Sequence, residues 1–70
     1  MSKILIKGSG DEFDGKYIKN IDKVNQKIEF TNNSSEAYTR ESGFYVDSEI
    51  EFLQFYFKDE YPCIKYAVPV

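Results

Sequence analysis

The stretch that most constrains this chain is Asp47 to Pro62, DSEIEFLQFYFKDEYP, its most apolar and aromatic-rich part. At 100° per residue Ile50, Leu53, Phe57 and Tyr61 fall on one stripe, the spacing of a core-facing helix. Ser48-Glu49-Ile50-Glu51 fits a capping box, in which the serine hydroxyl accepts from the Glu51 backbone N–H and the Glu51 carboxylate reaches back to the Ser48 N–H. Asp47, Glu49 and Glu51 would stand at the positive end of the helix dipole. Pro62 stops such a helix and presses Tyr61 toward extended geometry. Phe52 and Phe55 fall near the opposite side, so they lie either under a loop or in solvent.

A second reading of the same residues stands beside this one. Ile, Phe and Tyr are good strand formers, and IEFLQFYF could be a strand turning at Lys58-Asp59-Glu60 into the last strand. Alternation supports it in part: Ile50, Phe52 and Tyr56 share one face with Gln54, and Leu53, Phe55 and Phe57 share the other.

The remaining segments read mostly as strands. Lys3 to Lys7 is apolar in its middle and ends in the turn formers Gly8-Ser9-Gly10-Asp11. Asp14-Gly15 marks a tight turn before a second strand, Lys16 to Asn20, and Ile21 to Gln26 is a polar connection. Lys27 to Thr31 alternates, with Ile28 and Phe30 on one face. Thr31 to Ser35 is a loop, Glu36 to Arg40 a short edge strand or a single turn, and Glu41-Ser42-Gly43 a further break. Cys63 to Val70 alternates, with Ile64, Tyr66 and Val68 on one face and Pro69 at an edge. With no linker or repeat, residues 1–70 make one domain. The economical packing is α+β: a small antiparallel sheet of three to five strands with one helix across a face. Its core draws on Ile4 or Leu5, Tyr17 or Ile18, Ile28, Phe30, Ile64, Tyr66 and Val68, with Ile50, Leu53 and Phe57 from the helix. The alternative is an all-β small barrel.

A 70-residue chain buries only about 60% of its unfolded surface, so its twelve aromatics matter to its core. No histidine is present, which removes the usual general base and the commonest metal ligand. Cys63 has no partner for an internal disulfide and reads as a small core residue of a cytoplasmic protein. No signal-like or membrane-spanning apolar run is visible.

Charge is uneven. Residues 1–35 carry six lysines and five acids, and residues 36–70 carry three basic residues and seven acids. The acidic half disfavours nucleic acid as a partner. The Lys16–Lys27 stretch, with Tyr17, is the one place that resembles the basic and aromatic surface of an RNA-binding sheet, and the acidic segment could instead mimic phosphates toward a basic partner.

No motif stands for a chemistry. Asp11-Glu12-Phe13-Asp14-Gly15 fails as a calcium loop: with Gly15 in the glycine place, position twelve is Ile21, where a bidentate glutamate is needed. Gly8-Ser9-Gly10 lacks the third glycine and the helix of a phosphate loop. Glu49 and Glu51, two apart on a helix, do not face each other. The expectation is a non-enzyme without cofactor or metal.

The aromatic surplus is the feature that points to a function. Phe52 and Phe55, rimmed by Glu49, Glu51 and Asp59, mark a candidate contact with another protein or with a second copy as a homodimer.

The order Gly15-Lys16-Tyr17-Ile18, Ile28-Glu29-Phe30-Thr31, Glu36-Ala37-Tyr38, then an acidic-capped helix ending at Tyr61-Pro62 and a last strand, resembles small uncharacterised proteins of phages and prophages in Gram-positive bacteria. The resemblance covers about residues 15–68. Glu49-Ile50 stands where such proteins carry a Glu-Ala pair. It implies a small accessory or host-interaction protein.

Overall fold

The computed structural model describes residues 2–41 and 43–70. Strand β1 (Ser2–Ile6) is followed by β2 (Tyr17–Asp22), β3 (Lys27–Thr31), β4 (Thr39–Arg40), helix α1 (Gly43–Tyr56) and β5 (Ala67–Pro69). Short 3₁₀ turns occupy Ser34–Glu36 and Pro62–Tyr66. The class is α+β, an open antiparallel sheet of five strands with one helix packed on it. Residues 50–56 are helical, which decides the helix-or-strand question and sets the barrel aside.

β1 organises the sheet, since three strands pair with it. Leu5 stands opposite Tyr17 of β2, Ser2 and Lys3 opposite Arg40 and Thr39 of β4, and Ile4 to Ile6 opposite Pro69 to Ala67 of β5. On one edge the Ile6 N–H donates to Lys16 and the Gly15 N–H to Ile6. On the other, Lys3 and Val70 exchange two hydrogen bonds of 2.8 Å. β2 and β3 form a hairpin with a bulge between Ile18 and Asn20. Its tip is held by Asp22, whose carboxylate accepts from the Val24 and Asn25 N–H groups and from the Asn25 side chain. Those bonds to Asn25 hold the Asp22 carboxyl below its usual value. The strand therefore runs through Ile21, which the polar surroundings had placed in the connection.

The loop after β1 also closes on itself. Gly15 takes φ +79°, a left-handed conformation that suits glycine. The Asp11 carboxylate accepts from Ser9 Oγ and the Phe13 N–H, and Asp14 accepts from the Gly8 N–H. Phe13 is thereby set on Phe30, ring centroids 4.3 Å apart.

Ile4, Ile6, Ile18 and Ile28 of the sheet meet Val46, Ile50 and Leu53 on the inner face of α1 and Phe57 just after it, with Cys63, Ile64 and Ala67 completing the core. Phe57 and Tyr61 lie past the last helical residue, yet their N–H groups still donate to Leu53 and Phe57, four residues back. Tyr61 packs against Phe30 and Phe57 and places its hydroxyl 3.3 Å from the Ile28 N–H on β3.

Several expectations are corrected. α1 begins at Gly43, so Ser48 and Glu51 are in its middle and form no capping box; Asp47 and both glutamates lie beyond the first turn. The physical reason is burial: Val46, four residues before Ile50, is fully buried and extends the core stripe by a turn. The break expected at Glu41-Ser42-Gly43 ends where the helix starts, and Ser42 lies outside the described residues. Cys63 to Tyr66 form a 3₁₀ turn, not a strand, with Pro62 at its first position, where a missing N–H costs nothing. That turn points both Cys63 and Ile64 into the core and leaves Tyr66 exposed, so Tyr66 does not join Ile64 inside. The segment Glu36 to Arg40 divides, its turn ending at Glu36 and its strand beginning at Thr39.

Candidate functional site

Because the sheet takes only one face of α1, the opposite face is free, and it is aromatic. Phe44, Phe55, Ser48, Phe52, Tyr45 and Tyr56 share an arc of about 120° on the outer side. Phe44 and Phe55 are each 73% exposed, Tyr56 61% and Tyr45 58%. The rings pack in two groups: Phe44 against Tyr45 at 5.7 Å, and Tyr56 against both Phe52 at 4.6 Å and Phe55 at 4.9 Å.

The two aromatics expected on this side divide. Phe55 is in solvent. Phe52 is half-buried; it touches Phe57, and the Lys23 ammonium lies 4.7 Å from its ring centre, so the tip of the β2–β3 hairpin covers it.

The acids expected around the rings also have different surroundings. Glu51 is exposed beside the stripe, and Asp59 is exposed in the turn after the helix. Glu49 is instead drawn into the seam between α1 and the sheet. Its Oε1 accepts from the Tyr38 hydroxyl at 3.4 Å and from Arg40 Nη2 at 3.3 Å, with Lys23 Nζ 3.8 Å away. Its Oε2 is buried and has no hydrogen-bond partner among the described residues. Arg40 also lies over the Tyr38 ring at 4.8 Å. Burial first, and the Glu49 charge second, push the Tyr38 hydroxyl above its ordinary value.

Lys23, Arg40, Tyr45, Glu49 and Phe52 line an open groove of about 720 Å³ along this side of the helix, together with Thr39, Glu41 and Ser48. The helix face is therefore asymmetric. One edge carries the cations Lys23 and Arg40, whose side chains are 56% and 46% exposed. The other edge carries the exposed acids Asp47 and Glu51.

Other candidates are not assembled into sites. Lys16 and Lys23 stand at opposite ends of β2, one against Phe13 and the other against Phe52. Cys63 is 1% exposed, and burial, with a smaller push from the charge of Asp11, raises its thiol to about 11. The Asp11 and Asp14 carboxylates accept from their own loop, and among the described residues no three ligand-type side chains come together to hold a metal ion. Among the same residues no helix is long and apolar enough to cross a membrane.

Sequence reasoning missed Phe44, Tyr45 and Tyr56. The signal was Val46: once it joins the Ile50 stripe, the helix must start before Phe44 and Tyr45, and both rings then fall on the outer face. Comparison with known proteins finds no matching family model, no matching curated protein and no matching solved structure.

Proposed function

We propose that this chain is a non-enzymatic interaction module of the cytoplasm that presents the outer face of α1 to another protein. The observation that carries the reading is the exposure of four packed aromatic rings, Phe44, Tyr45, Phe55 and Tyr56, on one side of one helix. Single exposed apolar residues are ordinary, but several aromatic rings gathered on one helix face with charged edges have the composition of a protein contact. A buried thiol supports a reducing compartment.

The test is a photo-crosslinking benzophenone side chain placed at Phe55 and, as control, at Val24, an apolar residue 91% exposed at the hairpin tip. Expressed in a Gram-positive host, the Phe55 variant should form a discrete covalent adduct that the Val24 variant does not. The adduct's mass says whether the partner is a second copy, at twice 8.2 kDa, or a foreign protein. Equal labelling from both positions, or none from Phe55, overturns the reading.

A further inference from the structure

Resting on that reading, we infer that the partner on this face is a second copy of the chain, joined about a twofold axis that runs parallel to α1. The argument is the charge asymmetry of the two edges. In a symmetric face-to-face pair, an axis parallel to the helices sets the left edge of one against the right edge of the other. An axis perpendicular to the helices sets like edges together. Here the parallel arrangement brings Asp47 and Glu51 of each copy against Lys23 and Arg40 of the other. The perpendicular arrangement sets the four exposed acids, Asp47 and Glu51 of each copy, against one another.

The levels along the helix also match. Lys23 and Arg40 both sit beside Glu49, within 3.8 and 3.3 Å of its carboxylate. Asp47 and Glu51 are two residues below and two above Glu49, about 3 Å each way at 1.5 Å per residue. An in-register parallel pair therefore places both acids at the height of both cations. Glu49 takes up only part of the cations' charge: its Oε1 faces both, and each keeps roughly half of its side chain in water. Glu41 lines the same groove beside Arg40 and offsets part of that edge's positive charge. The aromatic rings of the two copies then meet on the axis, with the small Ser48 between Phe44 and Phe52 leaving room for a ring of the facing helix.

α1 is about 21 Å long at 1.5 Å per residue, so the contact is narrow. Interfaces of small area hold weakly, and the dimer is expected to form with rising concentration.

Light scattering over a concentration series is the first measurement, and the expected result is a shift from 8.2 kDa toward twice that mass. The double variant Asp47→Lys/Glu51→Lys, at two exposed positions, should remain monomeric at concentrations where the parent is dimeric, and its circular dichroism should be unchanged. Orientation is read with Ser48→Cys and Phe55→Cys, two turns apart on the same line of the helix; Cys63 is buried and does not compete. Under mild oxidation each variant should form a disulfide with its own kind. Two outcomes overturn the inference: a parent that stays monomeric at every concentration, or cysteine variants of which no more than one couples to itself. Neither touches the broader reading, which the Phe55 crosslink tests separately: a monomer with a foreign adduct keeps the interaction face and removes only the second copy.

Discussion

Phe55 and Phe57 are two residues apart, of one type, and on opposite sides of the same segment. Replacing each by alanine separates the two faces of α1 energetically. Phe57 is 1% exposed and touches Phe52 and Tyr61. Removing it creates a cavity among Leu53, Ile64 and their neighbours, and a buried Phe→Ala change costs about 3–5 kcal/mol. Phe55 is 73% exposed, so about a quarter of its surface leaves water on folding. On a side chain of ~200 Å² at ~25 cal/mol per Å² that is about 1.4 kcal/mol. Alanine returns about 0.5 kcal/mol through its better helix propensity, which leaves a net loss near 1 kcal/mol. A chain of 70 residues has a total stability of roughly 3.5–10 kcal/mol at the usual value per residue. Phe57→Ala therefore removes a third or more of it, and Phe55→Ala a small part. The assay is urea unfolding followed by circular dichroism, at the lowest workable protein concentration so that association does not contribute. With a slope of about 1 kcal/mol/M the Phe57→Ala midpoint should fall by ~3 M and the Phe55→Ala midpoint by ~1 M or less. Similar losses at both positions would refute the assignment of one face to the core and the other to solvent.

Three further outcomes follow from the site and its surroundings. Asp22 has a folded pKa below its unfolded value, so its contribution to stability is present above about pH 4 and is lost as pH falls through the folded pKa; Asp22→Asn should flatten the acid limb of a stability-against-pH curve in that range. The Cys63 thiol, raised to about 11 by burial, should resist thiol reagents at neutral pH in the native protein and react fully in urea; it also favours the folded state below its unfolded pKa, an advantage lost as pH rises toward 11, and rapid native labelling would contradict its place in the core. Gln26 holds φ +55° at the hairpin tip, a conformation that costs a side chain about 1 kcal/mol, so Gln26→Gly should raise the urea midpoint or leave it unchanged, and a clear loss would show that the glutamine side chain contributes more than its backbone strain.

Much of the fold was legible in local pattern. The limits of β3 at Lys27 and Thr31, the turn at Asp14-Gly15 and the inward set Ile50, Leu53 and Phe57 follow from period and turn chemistry alone. The start of α1 was not, because Ser48 and Glu51 offer a plausible cap, and a local cap is worth less than burying Val46 another turn back. The 3₁₀ turn at Pro62 was hidden because apolar residues at 64, 66 and 68 satisfy a period of two whether or not a strand exists. At the site, Phe55 could be placed outside the core from spacing. The condition of Glu49 could not: its partners Lys23, Tyr38 and Arg40 come from other elements, and only the packed fold brings them within reach.

β1 is paired both with the strand that follows it and with β5, far along the sequence. Lys3 and Val70 exchange hydrogen bonds, so β1 waits for residues 67–70 before its second edge is closed. During translation the hairpin β2–β3 and the helix can form, but Leu5 and its neighbours face an empty edge until Ala67 to Pro69 arrive. The sheet is thus fastened like a clasp whose two halves are the most distant parts of the sequence. Assembly of such a domain is slow for its size, because these contacts join residues more than sixty positions apart. The same adjacency gives the molecule a permutable topology: a short bridge joining the ends, with new ends opened at Lys23–Gln26, preserves every strand pairing and makes the clasp local.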